Sequence, residues 1–423
     1  MKLFQLLVVL FLLIPPISHA NTDTDQVKVA FTRDGFLFVK TNGEEEKITE
    51  EKAIYPSPPE WSHDSKMLLY QKLVTDSPDD PDKTSNELWV YDVVTKKHQK
   101  IFYNGNNPQW SPIENIVAFN AGGVLNISDL KNFYNIALGV DDYTWQPDGK
   151  GFIASSGASL RPDGWTHTIL YTISIENGYR NIPDLMDHGK KLFVVPKEVR
   201  KGDVSVISIG AEKLTYSPDG KWISFVISPT ASWSMDSDML ALISSDGKDF
   251  EVIDEVILEF TPKWAYTKNL LGYIAGGGRI VFGFKNKDMK VTEIPMDSTV
   301  NLTPENYAEM GFTWVDDNSL IVSRVQETEW SNDPKKRPKP VLYLVSLTDE
   351  RQIKLTNPHK NKGDYQPQFL TSIDKITWLR QSDLVEGHGD LWKADRNGEN
   401  AEVWIKDVEL YSFYQKHTKT SPL

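Results

Sequence analysis

Three tryptophans, Trp165, Trp233 and Trp330, stand in stretches that read as loops. An indole on a loop stacks on a sugar ring, anchors a protein partner, or folds back over its own sheet. His167 follows Trp165 by two residues, and His388 lies in Glu386-Gly387-His388-Gly389-Asp390. An imidazole serves as metal ligand or general base. Eight histidines with no His-Glu-x-x-His spacing read instead as solvent-facing or hydrogen-bonded side chains. Asp76, Asp79, Asp80 and Asp82 offer oxygens that calcium uses. Two prolines interrupt them and no EF-hand spacing is present, so a solvated acidic loop is expected. No Gly-x-Ser-x-Gly elbow occurs. Gly122-Gly123 and Gly276-Gly277-Gly278 read as hairpin turns rather than phosphate cradles, because no helix follows them. The binding candidates are therefore Trp165, His167, Trp233 and Trp330. No catalytic residue, metal site or cofactor is expected.

The chain has 423 residues, a formal net charge of -13 and no cysteine. The charge argues against nucleic acid, which needs a basic stripe, and against electrostatic docking to anionic lipid. Residues 1–20 read as a signal peptide: Lys2, an apolar run from Leu3 to Ile14, and Ser18-His19-Ala20 at the cleavage site. Residues 21–25 read as a short linker. The apolar run is too short for a comfortable span, and no later segment is apolar enough for one. Without cysteine there is neither a lipoprotein anchor nor a disulfide, so an exported chain must rely on its core. A secreted or extracytoplasmic monomer, of bacterial composition, is expected.

The elements that must position these residues announce themselves by repetition. Thr215-Tyr216-Ser217-Pro218-Asp219-Gly220-Lys221-Trp222 joins an aromatic to a tight turn and then to an apolar strand. Pro218 presets the turn, Asp219 bonds back to the backbone, and Gly220 takes the positive φ. The aromatic is expected to wedge between neighbouring sheets. Related units begin at Trp61, Trp110, Trp145, Trp264, Trp314 and Phe369. A period of roughly 40–50 residues made of four short strands predicts an all-β propeller of antiparallel blades. Val27 to Thr49 forms a further unit without its first strand, and Val408 to Tyr414 is a spare strand. Joined, they give eight blades closed by the C-terminal strand, with seven as the alternative. The propeller is expected over residues 26–416 with a tail at 417–423. Leu192 to Lys213 interrupts the rhythm, and Pro304 to Glu309 is expected to form one short helix capped by Thr303.

The Trp-Ser-Pro-Asp-Gly-Lys pattern, best seen at Trp145–Lys150, Tyr216–Lys221 and Trp61–Lys66, resembles the TolB-type propeller repeats. The resemblance covers about residues 26–416. The Trp264 and Phe369 units lack the Pro-Asp-Gly turn, and the non-propeller domain of TolB has no counterpart. It implies a propeller fold and an exported scaffold facing protein or glycan, with no catalytic residues.

In a four-stranded blade, loops after the second and fourth strands share one face. Val74–Asn86, Ala158–Thr168, Pro229–Asp238, Glu327–Pro340 and Ser382–Gly389 are the long ones. Long loops gathered on one face of a rigid scaffold are a usual place for binding. The expectation is an exported, non-enzymatic propeller that binds a protein or cell-envelope glycan there. The alternative is a carbohydrate-active propeller enzyme, a hydrolase or lyase.

Overall fold

The structure, a computed structural model, describes residues 27–77, 80–229, 237–277, 283–295, 298–349, 351–384 and 387–415. The signal, linker and tail segments, Trp233 and Asp79 lie outside the described residues.

The chain is all-β and built from antiparallel four-stranded sheets. One unit runs through Asp142–Trp145, Gly151–Ser156, Ile169–Ser174 and Gly189–Val194, each strand pairing with the next. The same order recurs from first strands at Glu60–Trp61, Asn106–Trp110, Tyr307–Asp316 and Gly363–Leu370. The units starting at Gly210–Tyr216 and Lys263–Trp264 join into one eight-stranded sheet through a single pair, Val256 with Ala275. Val29–Arg33, Phe36–Thr41 and Glu44–Lys47 are completed by Tyr411–Phe413, which pairs with Val29, Ala30 and Phe31.

Burial follows strand position. Asp238–Ser244, second from the outside in its unit, is buried at every residue, so it carries apolar side chains on both faces. Outer strands such as Glu44–Lys47 and Gln352–Lys354 are exposed throughout. Each hydrophobic cluster fills the gap between consecutive sheets. Val29 and Phe31 share one with Leu379, Leu391 and Ile405, from opposite ends of the chain.

The turns form as their residues dictate. Ser217 Oγ donates to Asp219 Oδ1 at 2.7 Å, and Asp219 Oδ1 accepts from Lys221 N at 3.0 Å. Gly220 has φ of 72°. The Ser62 turn repeats the pattern, with Ser65 at φ 60° in the glycine position. The aromatic before each turn does lie between sheets. Trp145 packs 4.2 Å from Phe152 by ring centroid. Its indole N–H donates to Gln109 O, in the preceding unit, at 3.3 Å. Trp110 donates likewise to Glu60 O at 3.0 Å, Trp264 to Thr215 O at 3.3 Å, and Trp314 to Lys263 O at 2.9 Å.

Three expectations are corrected. Pro304 to Glu309 is not a helix. Tyr307–Asp316 is a strand, because Ala308, Met310, Phe312 and Trp314 alternate into the core. Thr303 Oγ1 accepts from Met289 N and donates to Glu309 Oε1 instead of capping. Val74 to Asn86 is a long hairpin of Met67–Ser77 and Asp80–Asp92 rather than a loop, with Thr75 paired to Thr84. Val408 ends Glu402–Val408, so the closing strand is only Tyr411–Phe413. The Leu192–Lys213 interruption resolves into the end of a fourth strand and a hairpin, Glu198–Lys201 on Val204–Ile207.

Trp314→Phe tests the indole bridge. The change leaves Lys263 O without that donor and removes ring volume, so stability should fall by about 1–3 kcal/mol in urea unfolding. Trp165→Phe, off the bridge, should stay within about 0.5 kcal/mol. Equal effects of the two would refute the role given to the bridge.

Candidate functional site

The first strands share a register counted back from their aromatic. Two residues before it stands a buried side chain: Pro108, Tyr143, Leu214, Pro262, Phe312 or Pro367. One residue before it stands a polar group. Gln109, Thr144, Thr215, Thr313, Gln368 and Ser412 are neutral, and Glu60 and Lys263 carry charge. Three residues before it the backbone often turns left-handed: Asn107 at φ 46°, Lys213 at 56°, Gln366 at 50° and Gly311 at 149°. Each of these four sits in a register shift, a β-bulge that re-aims the strand end.

Two cavities lie along these strands. The larger, about 1790 Å³, is lined by Glu60, Lys263, Thr313, Gln368 and Ser412 among others. The smaller, about 470 Å³, is lined by Asn107, Gln109, Asp141, Asp142, Tyr143, Glu212, Lys213 and Leu214.

The smaller cavity gathers three carboxylates. Asp142 Oδ1 accepts from Asn107 Nδ2 at 2.8 Å and Oδ2 from Lys213 N at 2.7 Å. The left-handed turn at Lys213 aims that amide at the carboxylate. Burial is the largest influence on Asp142 and pushes its carboxyl up to about 6. Glu212 and Asp141 push the same way, against the backbone hydrogen bonds. Glu212 Oε1 accepts from Ser228 Oγ at 2.8 Å. Lys213 Nζ donates to Leu258 O, and burial lowers this amine from its ordinary value. Tyr143 OH donates to Asn107 O at 2.6 Å, and burial holds the phenol protonated. Asp142 pairs with Ser155, at the end of the strand that leads into Ala158–Thr168, so the cluster opens on the long-loop face. A carboxyl raised by burial and grouped with two further carboxyl groups in one cavity is equipped for acid–base chemistry.

In the larger cavity, enclosure by surrounding strands raises Glu60 to about 7 and lowers Lys263 to about 8, although both side chains reach cavity solvent. Lys263 Nζ donates to Phe312 O at 2.9 Å. Among the described residues no three His, Asp or Glu side chains group as metal ligands.

Of the residues singled out in the sequence, Trp165 is half-buried in a small hairpin, paired with Leu160. His167 is exposed, its Nδ1–H donating to Val195 O at 2.9 Å. Trp330 is half-buried, stacked on Phe284 with Arg337 4.0 Å from its ring centroid. None of the three lines either cavity. The Asp141-Asp142 and Glu212-Lys213 pairs went unnoticed in the sequence. Their signal was the repeat itself, which sets Asp142 and Lys213 three residues before Trp145 and Tyr216, level with Asn107 and Gln366.

No family model matches the chain, and no curated protein does. Solved structures do. A puromycin-hydrolysing peptidase of Mycobacterium tuberculosis shares 12% identity at a TM-score of 0.50, over 85% of this chain and 54% of that one. The dihydro-heme d1 dehydrogenase NirN shares 12% at 0.54, over 96% and 78%. TolB from Acinetobacter baumannii shares 17% at 0.37, over 63% and 60%. The chain therefore spans about half the length of the peptidase. At these identities the likeness is one of fold, and it bears out the resemblance to TolB-type propellers. The expectation of a non-enzymatic scaffold is corrected. The fold neighbours include a peptidase and a dehydrogenase, and this chain gathers three carboxyl groups in one cavity.

Asp142 makes the stability depend on pH with a definite sign. Its folded-state value lies above the ordinary 3.8, so the native state holds the extra proton between about pH 4 and 6. Its contribution is fully present below pH 4 and is lost as pH rises through 6. Relative to Asp142→Asn, the wild type should lose about 1–3 kcal/mol between pH 4 and 7, read by urea unfolding across pH. Parallel curves would mean an ordinary, solvated carboxylate.

Proposed function

We propose that this chain is an extracytoplasmic carbohydrate-active enzyme, a glycoside hydrolase on an eight-bladed propeller. The observation that carries the reading is Asp142, a carboxyl raised by burial to about 6 beside Asp141 and Glu212 in one cavity. Glycosidic hydrolysis needs that division of labour. One carboxyl keeps a proton for the leaving oxygen, and another, ionised, attacks or activates water. Asp142 is the acid and Glu212 the partner that attacks or activates water. Trp165, His167 and Trp330, outside the cavity, contact more distant sugar rings of a long polysaccharide. Trp233 joins them on its sequence position alone. The reading places a signal peptide at residues 1–20, a linker at 21–25, one propeller domain over 26–416, a tail at 417–423, and a monomeric state.

Eight blades accommodate the four-stranded units, the apolar clusters between consecutive sheets, and the pairing of Tyr411–Phe413 with Val29–Arg33. Closure of a ring leaves no long edge for another chain to pair with. Removing the residues after Lys406 should open it. The shortened protein should melt at lower temperature with a broader transition and aggregate. A melt like that of the full chain would place closure elsewhere.

The activity is tested by reducing-end release from a panel of soluble neutral and uronate-containing polysaccharides. Wild type should release ends from at least one, and Asp142→Asn and Glu212→Gln should each slow release by about 10²–10⁴-fold with the fold retained. No release from any polysaccharide, or full activity in both variants, removes the proposal. Ultraviolet-absorbing unsaturated ends would replace hydrolysis by elimination.

A further inference from the structure

The larger cavity holds two charges that the acid cluster does not use. Glu60 projects from Glu60–Trp61 and Lys263 from Lys263–Trp264, both one residue before the aromatic. No ion pair joins either side chain to another described residue. Lys263 Nζ spends one N–H on Phe312 O, and Glu60 meets Trp110 only through its backbone carbonyl. The cavity's other acid, Glu259, interacts electrostatically with Lys213. An unpaired charge costs least where a ligand of opposite charge takes the place of water.

The two charges are far apart in strand order. First strands at Asn106–Trp110, Asp142–Trp145 and Gly210–Tyr216 separate them on one side. Those at Tyr307–Asp316, Gly363–Leu370 and Tyr411–Phe413 separate them on the other. In the proposed ring they face each other across the cavity. Between them the walls are neutral: Thr313, Gln368 and Ser412 offer hydrogen bonds, and Phe260, Tyr365 and Phe413 offer apolar surface. At about 1790 Å³ the space exceeds a usual small-molecule pocket.

We propose that this cavity binds a short peptide with free ends, its ammonium against Glu60 and its carboxylate against Lys263. A single amino acid carries both groups on one carbon and reaches only one of the two. A peptide separates them by about 3.3–3.6 Å for each added residue when extended. Its amide groups meet the polar wall between. The site rests on the ring arrangement, not on the hydrolase chemistry, and lies in a different cavity from Asp142.

Calorimetric titration of the full protein with tri- to hexa-alanine, each free, N-acetylated or C-amidated, tests it. At least one free peptide should bind, and blocking either end should weaken it tenfold or more. In Glu60→Gln, N-acetylation should cost nothing further, and in Lys263→Gln, C-amidation should cost nothing further. Both variants should melt close to wild type, and Asp142→Asn should bind as wild type does. The proposal is overturned if no peptide in the series binds, if free and blocked peptides bind alike, or if each variant still discriminates at its own end. Binding that persists when hydrolase activity is absent leaves this site standing without the other.

Discussion

Four indole N–H groups, each held on an acceptor in the preceding unit, tie neighbouring sheets of the chain together. Trp110, Trp145, Trp264 and Trp314 are each too large to sit anywhere but between two sheets, and each carries one donor. The acceptor is a main-chain carbonyl of the previous unit's first strand, Glu60, Gln109, Thr215 or Lys263, and Trp264 shares its N–H with Ser224 Oγ at 3.1 Å. A buried donor left without a partner costs about 1–3 kcal/mol, so spacing and tilt of adjacent sheets are not free to drift. Tyr143 OH on Asn107 O and Tyr411 OH on Gln366 O repeat the device two residues upstream.

That bridge decides where charge can appear. The carbonyl it holds belongs to the residue whose side chain stands one position before the aromatic, so fixing the carbonyl aims the side chain away from the sheet gap. Glu60 and Lys263 are placed by this rule. Asp142 and Glu212 stand further up their strands, and the left-handed Lys213 next to Glu212 points its amide at the Asp142 carboxylate. The raised value of Asp142 thus has its source in packing. The carboxyl loses more by partial removal from water than it gains from its backbone hydrogen bonds.

The repeat made the architecture legible. Period, turn chemistry and alternation are local properties, and Ser217–Trp222 behaves as its residues say. Errors arose where local preference met a tertiary demand. Pro304 to Glu309 has a helix-like opening, but burial of Ala308 and Met310 requires a period of two. Asp-rich 75–86 lacks large apolar residues, yet the strands before and after it carry their pairing on, from Lys72 opposite Glu87 to Thr75 opposite Thr84. The acid cluster was hidden for another reason. Asp142 and Glu212 are 70 residues apart among 59 acids, and only sheet order brings them together. Trp165 and Trp330 drew notice by type, whereas the register of the repeat was the better guide to position.

The pairing of Val29 with Phe413 has a kinetic side. Every other first strand meets its sheet within a few dozen residues, as Asp142–Trp145 does with Gly151–Ser156. Val29–Arg33 pairs at once with Phe36–Thr41, but its other neighbour, the first strand Tyr411–Phe413, lies about 380 residues downstream. Contacts of such long sequence separation form late and slowly. A ribosome delivering the chain in order would therefore hold a nascent molecule whose opening sheet has one bare flank until Tyr411-Ser412-Phe413 emerges.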